Sequence, residues 1–312
     1  MSPDGRSFIT AAALESTSLW LHDSTGERQI PLEGNPGQPV VTPDGKKLLY
    51  RVVKEPPSEW GAYRDAGEVR ITDLFSGRSE PVVRDFQALD YDLSPDGRQI
   101  VMQMESADGK QQLWLAPLDR SSMPRQIPNV EGNAPRFLPD GDIVFRRTEG
   151  GTAFHTTGFV YRTHPDGTGV HKVIEQPVLL TSTVSPDGKW LVGWAPVGGT
   201  GAPAAQAFPL NGGTPVMLAS AALLNWSPDG RSLAILSGFG AGLPEGVSYL
   251  VPLAQGQSLP SFPAGGFKED DIARLPGARR IEAGTVIPVH GTDSYIFYRS
   301  TVQRNLYRIP VP

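Results

Sequence analysis

The chain alternates short apolar runs with polar turn segments along almost its whole length. Runs such as Leu48-Leu49-Tyr50, Ile100-Val101-Met102 and Leu233-Ala234-Ile235 have the length and composition of single β-strands. A second kind of run follows, with an aromatic residue between apolar neighbours, as in Leu19-Trp20-Leu21 and Leu113-Trp114-Leu115. A weaker fourth run closes each unit. The pattern predicts repeated units of four antiparallel strands.

The turn that precedes the second strand of most units has one sequence, Pro-Asp-Gly. Proline fixes φ at the first central position of a type I turn, aspartate can bond its own backbone, and glycine accepts the left-handed geometry that follows. The six copies lie 40 to 52 residues apart, a period typical of propellers and solenoids. Their prolines are Pro3, Pro43, Pro95, Pro139, Pro186 and Pro228. We interpret the aspartates of these copies as turn formers and not as catalytic carboxylates.

Four antiparallel strands per unit of this length indicate the blades of a β-propeller. A seventh unit without Pro-Asp-Gly is predicted at the C-terminus, where 289–297 aligns without gaps on 226–234 and Asn305–Ile309 supplies a third strand. We therefore expect an all-β, seven-bladed β-propeller of four-stranded antiparallel blades with incomplete terminal blades; six or eight blades are the alternatives. It should be a single domain over 1–312, with a loop or helical-turn insertion at 263–284.

Composition narrows the range of partners. A net charge of −5 disfavours a nucleic-acid partner. The sequence contains no run of 18 apolar residues, so direct membrane insertion is not predicted. The absence of cysteine excludes thiol catalysis, disulfides and thiolate metal sites, and leaves the compartment open. No signal-peptide pattern opens the sequence. Because Met1 would stand directly before a hairpin turn, we expect the chain to belong to a larger protein.

Signatures of the common enzyme classes are missing from the sequence. The Gly-x-Ser-x-Gly elbow of α/β hydrolases and the Walker and dinucleotide-binding patterns do not occur. His155, His164 and His171 fall in one unit, but a loop and a turn at its opposite ends should hold them too far apart to share an ion. We expect no metal, no cofactor and no catalytic residue.

The long loops between second and third strands form the first candidate binding surface. They should lie on one face of the ring, opposite the short first–second and third–fourth turns, and long varied loops tend to carry function. Their aromatic residues are predicted to ring this face: Trp60, Tyr63, Phe154 and Phe239. The alternative is that each ring only packs locally and pins its own loop.

The central channel is the second candidate. Alternating positions on the predicted innermost strands are polar and should face the axis, and these are Asp90, Asp92, Arg136, Thr181, Thr183 and Asn225. Their apolar neighbours should pack between blades. Such a polar set suits a channel that holds a ligand, or else it only solvates the axis.

The repeat Ser-Pro-Asp-Gly-(Lys/Arg), followed by an apolar strand, an aromatic third strand and a glycine turn, resembles the TolB-like, WD-repeat-like β-propeller family. Five of the six copies carry a basic residue directly after the glycine: Arg6, Lys46, Arg98, Lys189 and Arg231. The resemblance covers nearly the whole chain. Members include periplasmic translocation proteins, propellers of peptidases, some sugar lyases and sensor domains of bacterial receptor kinases; the ending 305–310 resembles the propeller of such kinases.

The resemblance implies a function class without fixing it. We expect a non-catalytic propeller that binds a protein, peptide or small ligand, as the extracytoplasmic or periplasmic sensor domain of a larger bacterial receptor or kinase. A TolB-like periplasmic adaptor is one alternative. The other is a carbohydrate-active or peptidase-associated enzyme, for which Asp90, Asp92 and Arg136 are the only starting constellation.

Overall fold

The computed structural model of the chain describes residues 7–53, 66–148, 157–197, 202–237 and 246–310, of which 7–15 and 302–310 are described by their backbone alone. The described strands form six four-stranded antiparallel sheets. The innermost strands of neighbouring sheets contact one another in a closed ring, so the sheets are the blades of a propeller around a central channel.

Blades one to five each use four consecutive strands, which run in chain order from the channel outwards. Blade one contains β3 (Asn35–Val41), β4 (Lys47–Val53), β5 (Val69–Asp73) and β6 (Ser79–Pro81). Blade two contains β7 (Asp90–Leu93), β8 (Gln99–Glu105), β9 (Gln111–Pro117) and β10 (Arg125–Glu131). Blade three contains β11 (Asn133–Phe137), β12 (Ile143–Thr148), β13 (Gly158–Thr163) and β14 (His171–Val178).

The fourth and fifth blades repeat this arrangement, and the sixth joins the two ends of the chain. Blade four contains β15 (Leu180–Val184), β16 (Trp190–Pro196), β17 (Pro203–Pro209) and β18 (Val216–Ala219). Blade five contains β19 (Ala222–Trp226), β20 (Ser232–Ser237), β21 (Ser248–Pro252) and β22 (Arg279–Ile281). Blade six contains β23 (Val286–His290) and β24 (Ser294–Pro310), followed outwards by β1 (Ser7–Asp23) and β2 (Gly26–Gln29).

The expectation of seven blades was wrong, because the first and last sequence units are two halves of one blade. β1 and β24 each run for 17 residues and pair with one another from Ser7↔Pro310 to His22↔Tyr295. The segment 305–309, expected to be a separate third strand, is the continuation of β24. The segments 11–18 and 298–304 contain no Gly, Asn or Asp, which are the residues that tight two-residue hairpin turns favour.

Apolar side chains fill the spaces between adjacent blades. Leu49 of blade one packs with Ile100 and Met102 of blade two, and Val101 on the opposite face of blade two packs with Phe145 of blade three. This alternation follows from the two-residue period of a strand, because successive side chains point to opposite faces. The core is therefore a set of layers between blades, and the channel is left to the innermost strands.

The segment predicted as an insertion contains a short helix, α1 (Glu269–Ala273). Ile272 of this helix is buried in the layer between blades four and five. The Phe267 N–H donates a hydrogen bond to the Leu218 carbonyl at 2.6 Å, which ties the insertion to the outer strand of blade four. The insertion thus covers the edge of a sheet. Within the described ranges, no helix is long and apolar enough to cross a membrane.

Candidate functional site

The Pro-Asp-Gly turns set the geometry of one face of the ring. In the blade-two turn, Ser94 Oγ donates to Asp96 Oδ1 at 2.6 Å and accepts from the Gln99 N–H at 2.8 Å, while Gly97 has a φ of 71°. The hydroxyl hydrogen bond lowers the pKa of Asp96, and a threonine hydroxyl does the same for Asp44. These carboxylates are ionised and held by their own turns, which is a structural use.

The Pro-Asp-Gly turn of blade three has no hydroxyl side chain before its proline, because Leu138 stands where the other turns have serine or threonine. Arg162 Nε lies 2.6 Å from Asp142 Oδ2, and the same guanidinium pairs with Asp140. His164 Nδ1 lies 2.7 Å from Asp142 Oδ1, and this hydrogen bond raises the pKa of His164. Partial burial opposes ionisation of Asp142, but its bonds to His164 and Arg162 lower its pKa. The cluster replaces the missing Ser–Asp bond.

A cavity of about 340 Å³ occupies the channel axis on the side of these turns. Its lining includes a ring of prolines from the six blades, Pro43, Pro95, Pro139, Pro186, Pro228 and Pro288. Five of the innermost strands contribute both polar and apolar side chains to the lining, and β23 contributes Ile287 and Pro288. The volume falls at the lower end of the range for small-molecule sites. It suits a small ligand or a side chain presented by a partner.

Four of the predicted channel residues, Asp92, Arg136, Thr183 and Asn225, line this cavity, whereas Asp90 and Thr181 are not on its lining. Asp90 and Arg136 are 9% and 8% exposed, and they form a bidentate ion pair with N–O distances of 2.9 and 3.1 Å. Asp92 and Asn225 are half-buried, and they line the cavity together with Arg136. Asp90 lies behind this wall. The pair Asp90–Arg136 is therefore a clamp between blades two and three.

The clamp continues around the axis as a chain of hydrogen bonds. Arg136 Nε donates to the Ser182 carbonyl of blade four, and Gln38 of blade one donates to the Asp90 carboxylate. Gln38 also donates to the Tyr91 carbonyl at 2.9 Å. One polar chain thus joins the innermost strands of blades one to four. On the other side of the axis, Asn225 Nδ2 donates to the Val286 carbonyl at 3.1 Å and joins blades five and six.

Asp92 stands apart from this chain. Its Oδ2 accepts a hydrogen bond from the Phe137 N–H at 2.8 Å. Burial raises the pKa of Asp92 to about 6, an effect that the Arg136 charge opposes. Asp92 is therefore a carboxylate on the cavity wall whose ionisation changes close to neutral pH.

Gln38 is one of the cavity residues that the sequence reasoning missed. It stands at the same distance before its turn proline as Asp90 and Thr181 do, so the same count would have found it. It has a φ of 51° at an irregularity in the β3–β4 pairing. Such bulges re-aim side chains and are enriched next to functional sites. Trp226 was expected to pack between blades; it does so and also lines the cavity.

Two large apolar side chains are exposed on the turn face. Phe75 is 98% and Met123 is 83% exposed. Each lies in the third–fourth connection of its blade, in blades one and two. These connections join the two outer strands of each blade, so the turn face offers apolar contacts towards the rim of the ring, outside the cavity itself.

A second cleft of about 590 Å³ lies at the periphery between β22 and blade six. Arginines line it, but each is paired with an acidic residue of the chain: Arg279 with Asp293, Arg280 with Glu282, and Arg299 with Glu27. This cleft is larger than the axial cavity, yet its charges are already matched. The axial cavity is therefore the stronger candidate.

The aromatic residues predicted to ring the opposite face, Trp60, Tyr63, Phe154 and Phe239, lie outside the described residues. His155 also lies outside them. Among the side chains that the structure does describe, no group of three or more His, Cys, Asp or Glu residues could hold a metal ion.

Comparison with known proteins places the fold. No family model matches the chain, and no curated protein matches it. Among solved structures, a protein from Agrobacterium tumefaciens described as a TolB candidate is similar at 17% identity and a TM-score of 0.60, covering 92% of this chain and 99% of that one. TolB from Acinetobacter baumannii is similar at 18% identity and a TM-score of 0.55; the match covers 76% of this chain and 60% of that one.

An oligogalacturonate lyase solved with manganese is also similar, at 15% identity and a TM-score of 0.50, with 89% of this chain and 81% of that one covered. A lyase and TolB proteins therefore share this architecture, and fold likeness at such identities does not transfer an activity. What the comparisons establish is that the chain has a TolB-like β-propeller fold.

Proposed function

We propose that the chain is a non-catalytic binding protein that takes a small ligand, or a side chain of a peptide or protein partner, into the axial cavity through the Pro-Asp-Gly face. The observation that carries the proposal is the cavity itself, with a polar wall on Asp92 and an apolar wall on Trp226. Convergent apolar walls with a few placed polar groups are what a binding pocket requires.

The arrangement of charge favours binding over catalysis. The buried pair Asp90–Arg136 is engaged between blades, so it holds the wall in place and is not poised beside a reactant. General acid–base chemistry needs a group within hydrogen-bond reach of the reacting proton, usually with a second group of complementary role. In the described part of the cavity, Asp92 is the one carboxylate on the lining.

Exposed apolar residues support a macromolecular partner. Phe75 and Met123 stand on the face where the cavity opens, in neighbouring blades. Aromatic and methionine side chains are enriched at protein interfaces. A partner that inserts one side chain into the cavity and also extends outwards over blades one and two would contact these residues.

The test uses a displayed random-peptide library panned against the purified chain. Thr183→Trp would fill the cavity from β15, and Glu282→Ala in the peripheral cleft is the matched control. We expect the selected peptides to lose at least about tenfold in affinity for Thr183→Trp and nothing for Glu282→Ala. Peptides that bind Thr183→Trp as tightly as the parent chain would exclude the cavity as the site.

The enzyme alternative is tested on the same preparations. Polyuronate and peptide substrate panels, assayed with and without added divalent metal, should give no turnover. Turnover that disappears in Asp92→Ala would replace the binding proposal with a catalytic one.

We also propose an extracytoplasmic location, for which the likeness to TolB structures is the support. Within that proposal the chain acts as a TolB-like adaptor or as the sensor domain of a larger receptor or kinase. Fractionation of cells that express the tagged, full-length gene product tests the location. The gene sequence around the chain distinguishes the two contexts, because a sensor domain requires a kinase and a membrane span in the same product.

A further inference from the structure

The two charged side chains on the lining of the axial cavity differ in how far they are engaged by other residues. Its described lining contains two side chains that are charged at neutral pH, Asp92 and Arg136. Arg136 is already in a bidentate pair with Asp90, directly behind the wall. Arg136 is therefore committed to Asp90, and Asp92 is the carboxylate that remains on the lining.

That negative charge is accessible from the cavity. Asp92 is on the lining, whereas Asp90 is not. The Phe137 N–H occupies one acceptor position of Asp92 Oδ2. An ionised carboxylate has about four acceptor positions, so Asp92 keeps capacity for a ligand donor. Because the surroundings are partly desolvated, a charge–charge contact here is stronger than it would be in water.

The walls next to Asp92 select for a partly apolar ligand. Leu223, Trp226 and Ile287 line the cavity along with Asp92. A bare metal ion would need several converging oxygen or nitrogen ligands, and the described residues include no group of three or more acidic, histidine or cysteine side chains that could hold one. An aliphatic stem that carries a cationic head matches both the walls and the charge.

We infer that the ligand of the axial cavity presents an ammonium or guanidinium group to Asp92, with its aliphatic stem against Trp226 and its neighbours. The inference rests on the proposed binding function and adds its ligand chemistry. The raised pKa of Asp92 agrees with it, since burial disfavours the ionised carboxylate and a nearby cation would stabilise it. The cationic group belongs either to a free amine or to a Lys or Arg side chain of a peptide.

The experiment measures binding of matched probes by titration calorimetry at neutral pH. Butylamine and butylguanidine are the cations, butyramide and butyrate are the neutral and anionic controls, and acetylated tripeptides Gly-Lys-Gly and Gly-Gln-Gly form the peptide arm. We expect the cationic member of at least one set to bind at least about tenfold more tightly than its neutral counterpart, as a charge-assisted hydrogen bond implies. If only Gly-Lys-Gly is preferred over its neutral counterpart, and the butyl cations are not, the cationic group belongs to a peptide side chain.

Asp92→Asn is the informative variant, because asparagine keeps an oxygen acceptor for the Phe137 N–H while the charge is removed. Asp293→Asn removes the same charge from an exposed turn and is the control. We expect Asp92→Asn to lose the preference for cations, Asp92→Glu to retain part of it, and Asp293→Asn to leave it unchanged. Melting curves verify that all three fold.

Equal affinity of the parent chain for cationic and neutral probes, or a cation preference that survives in a folded Asp92→Asn, would overturn the inference. The proposed function fails differently. Library peptides that depend on an open cavity but ignore Asp92→Asn leave the binding function standing and reject the charge selection. If no peptide or probe depends on an open cavity, both are rejected.

Discussion

Removal of the Arg136 side chain should destabilise the ring more than any exposed ion pair does. Arg136→Met keeps most of the aliphatic stem but removes the guanidinium, which bonds to Asp90 at 2.9 and 3.1 Å and to the Pro135 carbonyl at 2.6 Å. Asp90 is 9% exposed, so its carboxylate would be left buried without its main cation. Breaking a buried pair from one side costs about 3–5 kcal/mol. That is a large part of the roughly 5–15 kcal/mol by which domains are stable.

The assay is equilibrium urea unfolding followed by tryptophan fluorescence. Lys189→Met is the control, because Lys189 Nζ pairs with Asp187 at 2.9 Å while the two side chains are 56% and 31% exposed. An exposed pair of this kind contributes less than about 1 kcal/mol. The double variant Arg136→Met/Asp90→Leu should recover much of the loss, since apolar replacement of both partners is often neutral. If Arg136→Met costs no more than Lys189→Met, Asp90–Arg136 is not a buried clamp.

Three further predictions concern the core, the cavity and the closure of the ring. Trp226→Ala should lower the free energy of unfolding by about 3–5 kcal/mol, because it removes core packing and a 2.7 Å hydrogen bond to the Ser258 carbonyl. Urea unfolding measures this, and a loss below about 1 kcal/mol would contradict the place of Trp226 in the core. Burial raises the folded-state pKa of Asp92 to about 6. Above that pH the ionised carboxylate lowers the free energy of unfolding by up to about 3 kcal/mol, and this loss disappears as the pH falls towards about 4. Asp92→Asn should therefore be more stable than the parent chain at about pH 8 and equal to it at about pH 4, whereas parallel stability curves would refute the shift. Ser16→Cys/Thr301→Cys should form an intramolecular disulfide on oxidation, since the two are Cα partners in a chain that has no cysteine; disulfide-linked dimers alone on a non-reducing gel would contradict the shared blade.

Much of the fold was predictable because the turns carry strong local signals. Pro43-Asp44-Gly45 and Pro95-Asp96-Gly97 stand at turns between a first and a second strand, and the runs after them are β4 and β8. The blade number was not predicted, since repeat counting treats every partial unit as a blade. Only the pairing of β1 with β24 shows that the two ends complete each other.

The sequence predicted which residues face the channel axis, but not which of them contact one another. Period-two alternation correctly brought Asp92, Arg136 and Asn225 to the axis. It did not predict that Arg136 would pair with Asp90 on the preceding blade, because that depends on how neighbouring innermost strands are offset along the channel. Gln38 stands at the same count before its turn proline as Asp90 and Thr181, so the alternation could have selected it. The pattern does not show the bulge and the positive φ of 51° at Gln38, because local irregularities of this kind leave little trace in an apolar–polar pattern.

The central claim, that the axial cavity is the binding site, is tested most directly by mapping a bound peptide on the molecule. Backbone amide chemical shifts of the isotope-labelled chain would be recorded with and without the tightest peptide from the library. The account predicts that the largest changes fall at Gln38, Asp92, Thr183 and Asn225. Changes confined to the peripheral cleft at 279–282, with the cavity amides unmoved, would contradict it.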